Sequence, residues 1–157
     1  MKFRENDYFD HYQIRSHVAE GSTANVYRAL DVQTGREVAL KIPLRSVILD
    51  AARYEQFLRE LEAMRILQHP AVQGGIESGQ YESTPYLVTD WVEGKSLRRL
   101  IKSSSPFSVD RAIMLARKIA EGLAYCHEQG VVHRDVKPDN ILIMNEDQPA
   151  ILDFVWP

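Results

Sequence analysis

His133-Arg-Asp-Val-Lys-Pro-Asp-Asn140, followed after twelve residues by Asp153-Phe154, is the stretch on which the reading of this chain turns. Val131-Val132 leads into it, and Ile141–Met144 and Ala150–Leu152 follow as two short apolar runs separated by a polar turn. That pattern predicts a small hairpin with turns at both ends. Taken one at a time, Asp135, Asp139 and Asn140 are ordinary turn residues, whose short polar side chains bond to their own backbone. Taken as an ordered set, they place carboxylates and an amide on the turns around one hairpin. Both readings stay open on these residues alone.

Upstream, Ser108 is a good helix N-cap with Asp110 in the first turn, and Gly130 suits the position just past a helix end. Between them Ile113, Ala116, Ile119, Ala120 and Leu123 mark one apolar face. Ser103-Ser-Ser-Pro-Phe reads as a loop, Ser96 to Lys102 as a short helix, and Trp91-Val-Glu-Gly-Lys as a connector. Before the connector, Gly75–Tyr81 and Tyr86–Thr89 predict two strands, the second almost wholly apolar and so central. Tyr54, Phe57, Leu58, Leu61, Met64 and Leu67 recur at three and four, the signature of an amphipathic helix over Ala51–Gln68 closed by His69-Pro70.

Three more strands are predicted at Tyr12–Val18, Asn25–Val32 and Glu37–Ile42. Ala19-Glu-Gly-Ser-Thr-Ala is a loop between the first two, and Gln33-Thr34-Gly35 a hairpin turn between the last two. Pro43 ends the third, because proline cannot donate to a ladder. Residues 1–11 read as a polar leader. The order is strands with one helix, a connector, then mostly helix with short strands, a two-lobed α+β arrangement.

Composition narrows the function classes. The 157 residues are 45% hydrophobic and 26% charged, as in a globular protein. A net charge of −3 gives no reason to expect nucleic acid or an anionic membrane as partner. No apolar run approaches membrane-spanning length, and the first seven residues are too polar for a signal peptide. Cys126 is the only cysteine, so an internal disulfide is impossible and a reducing, cytoplasmic location is expected.

His133–Asn140 and Asp153-Phe154 resemble the catalytic loop H-R-D-x-x-x-x-N and the metal-binding D-F-G motif of protein kinases. The resemblance runs over about residues 12 to 154 and implies a five-stranded antiparallel sheet plus one helix (12–89), a hinge (90–94) and a partial, mainly helical second lobe (95–157). It implies ATP and Mg²⁺ as cofactors. Asp135 is expected to orient a substrate hydroxyl and accept its proton, with Asn140 and Asp153 holding the metals. Lys137 matches the Ser/Thr rather than the tyrosine kinase pattern and is expected to steady the transferring phosphate.

Lys41, in Val38-Ala-Leu-Lys, is similar to the family's strand lysine, which touches the α- and β-phosphates and pairs with a helix glutamate. Glu60 is the matching glutamate. Glu62, the competitor, lies about 200° around the helix from it. The phosphate-covering loop G-x-G-x-x-G-x-V corresponds to Ala19-Glu-Gly-Ser-Thr-Ala-Asn-Val26, where Gly21 is kept and Ala19 and Ala24 replace the outer glycines. Alanine restricts the backbone angles that let successive N–H groups face phosphate. At the hinge, the Asp90 carbonyl and the Val92 N–H and carbonyl would meet the adenine edge. Thr89 would stand behind it, with Val26 and Ala39 above the base and Leu142 below.

The resemblance also carries departures. Val155 stands at the D-F-G glycine, and the family's activation segment and substrate platform have no counterpart before Pro157. If the family's Gly-Leu-Ala were encoded GGT CTG GCC, loss of one G would give Val-Trp-Pro, the residues at 155–157. A frameshift is therefore expected, a hypothesis that sequencing the gene decides. The expected function is an ATP-dependent Ser/Thr protein kinase domain acting on protein hydroxyls. The alternative is a catalytically inactive ATP-binding fragment or pseudokinase-like scaffold. Ile113, Ile119 and Leu123 are further expected to lack packing partners.

Overall fold

The computed structural model of the chain describes residues 2–104 and 106–152, with all their side chains except those of Glu60 and Ser104. The chain divides into two compact units. The first comprises residues 1–65 and 75–91, the second residues 66–74 and 92–157.

The first unit is built on a six-stranded antiparallel sheet in the order β1-β2-β3-β4-β6-β5. Its strands are β1 (Tyr8–Phe9), β2 (Tyr12–Glu20), β3 (Ala24–Asp31), β4 (Glu37–Pro43), β5 (Gly75–Tyr81) and β6 (Thr84–Asp90). The expected count of five is thus corrected to six. The extra strand comes from the stretch read as a polar leader, where two residues are too few to show a period. Phe9 is nevertheless buried, with its ring edge-on to Phe3, Tyr81 and Tyr86 at centroid distances of 5.4, 5.1 and 5.5 Å.

Strand alternation separates the sheet's two faces. Ile14, Tyr27, Ala29, Val38, Leu40, Ile42 and Val88 turn to one side and form the core with Phe9, Tyr12 and Tyr86. A short helix α1 (Arg45–Ile48) follows β4, and α2 (Ala51–Ile66) carries Phe57, Leu61 and Met64 on its buried side. Gly75 lets the end of α2 approach closely. A Cβ there would stand 3.1 Å from Leu87 Cδ1 and 3.4 Å from the Arg65 backbone nitrogen.

The second unit holds a three-stranded sheet, β7 (Lys95–Ser96), β8 (Ile141–Ile143) and β9 (Pro149–Ile151), with β8 in the middle. Helices α3 (Leu97–Ser104) and α4 (Val109–Glu128) complete it. Ser108 caps α4 as expected, its side chain accepting from the Arg111 N–H, and Gly130 follows the helix at φ 77°. Leu115, Ile141 and Ile143 form a core with Leu97, Leu100, Phe107, Met114 and Ile119 packed on it.

The buried face of α4 differs from the expected one. Leu115, Gly122 and Cys126 are buried, whereas Ala116 and Ala120 are exposed and Ile113 is 62% exposed. Ile119 packs on the core and Leu123 is half-buried, so two of the three side chains expected to lack packing are at least partly covered. The cause is Gly122, whose missing side chain admits Ala71 and Ile151. A Cβ there would lie 3.1 Å from each. On the same side Arg111 forms a two-point ion pair with Asp147 (2.9 and 2.7 Å), while Lys118 donates to the Asp147 carbonyl. Two charged residues therefore sit on the inner side of α4, which periodicity of apolar residues alone does not anticipate.

Candidate active site

The catalytic-loop residues gather within the second unit. His133 is fully buried and ties the loop at both ends. Its Nδ1 accepts from the Asp135 N–H at 3.2 Å, so Nε2 carries the proton donated to the Leu152 carbonyl at 2.6 Å. Leu152 N–H in turn donates to the Asn140 carbonyl at 2.8 Å, which fixes the end of β9 against the loop. Arg134, between them, takes φ 64°, a left-handed conformation uncommon for a residue with a Cβ. That local strain is held by the bonds on either side.

Asp135 is the hub. Lys137 Nζ stands 2.6 Å from Asp135 Oδ2, and Asn140 Nδ2 donates to the same oxygen and to the Asp135 carbonyl, both at 3.0 Å. The Lys137 hydrogen bond, reinforced by Asn140, holds the Asp135 carboxyl below its ordinary pKa. It is therefore ionised at neutral pH, an acceptor positioned by its own loop. Pro138–Asn140 forms one turn of 3-10 helix, with Pro138 at its first position, where the missing N–H costs nothing. Leu142, on β8, is half-buried and turned away from the Ile141 and Ile143 core.

Donor chemistry is compatible with a hard cation. The Asn140 amide nitrogen is engaged by Asp135, leaving Oδ1 as the side chain's oxygen ligand beside a carboxylate. Asp153 lies outside the described residues, and among those described no group of three or more His, Cys, Asp or Glu side chains is arranged to hold a metal.

Most of the remaining residues lie on the first unit's sheet. Register pairs Ala19 with Val26, Val26 with Lys41, and Ala39 with both Arg28 and Thr89. Partners across an antiparallel ladder share a face. Ala19, Val26, Ala39, Lys41 and Thr89 therefore lie on the one face opposite the aromatic core. Ala24, two residues before Val26, begins β3 on that same face and is buried. Asp90 ends β6, and Val92 follows in the connector. Glu60 lies on α2, its side chain outside the described residues.

Gly21 sits in the tight turn between β2 and β3, its N–H donating to the Ala24 carbonyl at 2.9 Å. It does not use a left-handed backbone, and a Cβ would make an ordinary 3.5 Å contact. Arg53 on α2 donates to the Ser22 carbonyl at 2.8 Å, and Leu44 N–H to the Thr23 carbonyl at 2.8 Å. Neither tether is legible in the sequence, because each joins residues more than twenty apart through a backbone oxygen.

With this geometry in place, comparison with known proteins gives a consistent result. The protein kinase domain model matches residues 12–155. The chain belongs to the protein kinase domain family. Among curated relatives of this kinase domain, a probable serine/threonine-protein kinase of Corynebacterium efficiens is 32% identical over 149 residues, and the probable serine/threonine-protein kinase PknB of Lactococcus lactis 34% over 146. In each case the alignment covers 92% of this chain and 23% of the relative, so the chain spans about a quarter of the length of those proteins. The PknI kinase domain of Mycobacterium tuberculosis superposes with a TM-score of 0.82 at 22% identity, covering 98% of this chain and 61% of that one, a likeness of fold. No helix among the described residues is long and apolar enough to cross a membrane.

Proposed function

We propose that this kinase domain handles ATP for phosphoryl transfer to Ser or Thr hydroxyls of a protein substrate. The observation that carries the reading is Asp135, an ionised carboxylate held by Lys137 and Asn140 inside its own loop. Such a carboxylate can orient a hydroxyl and take its proton as the oxygen attacks phosphorus. Lys137, a cation within 2.6 Å of it, would steady the charge on the transferring phosphoryl group.

Lys41 would hold the α- and β-phosphates, paired with Glu60. Ala19, Gly21 and Ala24 would border the phosphates, and Val26, Ala39, Thr89 and Leu142 would pack on the base. The backbone of Asp90 and Val92 would read the adenine edge. Mg²⁺, held by Asn140 and Asp153, would offset the phosphate charge. A cytoplasmic setting completes the reading.

Binding of ATP–Mg to the chain, followed as thermal stabilisation, tests this. Wild type should be stabilised, Lys41→Ala much less, and Asp135→Asn nearly as much as wild type while losing any phosphotransfer to Ser or Thr peptides. Equal stabilisation of wild type and Lys41→Ala, or preference for tyrosine peptides, would count against the assignment.

A further inference from the structure

The connector between the two units begins at Trp91, and the sheet grips it in an uncommon way. The Arg28 guanidinium lies 5.0 Å from the centroid of the Trp91 ring, in the geometry of a cation–π contact. Arg28 is itself oriented by Glu37 on the neighbouring strand, through Nε at 3.0 Å and through Nη2. The register puts Arg28, Ala39 and Thr89 abreast on the face that carries Lys41. Trp91, the first residue past the end of β6, brings its ring to Arg28 there.

Two further facts draw attention to Arg28. Trp91 Nε1 is buried without a hydrogen-bond partner, the one such side-chain nitrogen or oxygen among the described residues. The indole is thus fixed by the guanidinium over its ring, not by its polar handle. An ion pair just before the connector, Arg36 to Asp90 at 3.0 Å, joins side chains that are 61% and 62% exposed. A pair that open to water contributes little.

We propose that Arg28 is a positioning residue for the nucleotide base. It fixes the Trp91 indole, and through the chain on either side of it sets the backbone of Asp90 and Val92 for recognition of a purine edge. This rests on the nucleotide reading above, and the test separates the two.

The whole chain is used with Trp156→Phe, which leaves Trp91 as the single indole. Affinity for N-methylanthraniloyl-ATP with Mg²⁺ is measured by anisotropy, and Trp91 emission is recorded without nucleotide. Arg28→Ala should weaken binding about two- to fivefold, the range for a partly exposed cation–π contact, and move the emission to longer wavelength. Arg28→Lys, which keeps the cation, should restore most of both. Circular dichroism confirms that each variant is folded at the assay temperature, and Arg28→Lys serves where Arg28→Ala is not. Unchanged affinity in Arg28→Ala, whether or not the emission moves, or an Arg28→Lys no better than Arg28→Ala, overturns the proposal. Absence of binding by the parent, or equal binding by Lys41→Ala, overturns the nucleotide reading and the proposal with it.

Discussion

Replacing Phe9 by alanine tests whether the first residues are structural or merely a leader. Phe9 is 4% exposed and meets three aromatic rings edge-on, at centroid distances between 5.1 and 5.5 Å. Truncating a buried phenylalanine costs about 3–5 kcal/mol, part of it the cavity left behind. Each edge-to-face pair adds about 0.5–1.5 kcal/mol beyond area burial, though the three share one ring and do not sum. Phe9 lies near the sheet's edge, on a two-residue strand, where neighbours can relax inward. A loss of about 3 kcal/mol is therefore expected. Against a total stability of about 5–15 kcal/mol this is a large fraction. Urea unfolding followed by hydrogen exchange at Val38–Ile42 reads the first unit directly. Tyr8→Ala is the control: that side chain is 57% exposed, and its loss should change stability by about 0.5 kcal/mol or less. Loss of less than about 1 kcal/mol in Phe9→Ala, or no change on deleting residues 1–11, would show that β1 adds nothing to the core.

Two other predictions concern the second unit. The Arg111 hydrogen bond holds the Asp147 carboxyl below its ordinary pKa, so this residue adds stability that is full above the unfolded-state value near 3.8 and is lost as pH falls through the lower folded value. Urea midpoints between pH 3 and 7 should therefore fall less steeply toward acid in Asp147→Asn than in wild type, with the variant weaker at pH 7. Gly94→Ala would bring a Cβ to 2.8 Å from the Ile143 carbonyl oxygen, a backbone atom that cannot swing aside, and should destabilise the β7–β8 pair by about 1–3 kcal/mol. Gly21→Ala, with 3.5 Å to spare and no left-handed angle, should melt within a degree or two of wild type.

The sequence carried the fold where a signal was long or chemically specific. Ten residues of β4 and β6, Glu37–Ile42 and Tyr86–Thr89, could be placed from their apolar pattern because both strands are buried on both faces, and α4 from its serine cap and trailing glycine. The side of α4 that turns inward was not legible. Apolar residues occupy more than half of its circumference, and the choice falls to Gly122 and to the reach of Arg111 and Lys118 toward Asp147. The strand at Tyr8–Phe9 escaped because its signal lies in which distant rings receive Phe9, and no local period records that. For the site, residue identities and spacing named Asp135, Lys137 and Asn140, whose side chains meet within one short loop. Arg28, Arg53 and Trp91 act through long-range contacts and carry no motif.

Cys126 gives the second unit a built-in stopwatch. Its thiol is fully buried, and that burial pushes its pKa up to about 11, so both access and thiolate are scarce in the closed molecule. A disulfide reagent therefore reacts only while α4 lifts away from its neighbours. Being the only cysteine in the chain, it reports without engineering and without interference. At high reagent the labelling rate counts openings per second. At low reagent it weighs the fraction of time spent open, so one side chain yields both the tempo and the depth of the unit's breathing.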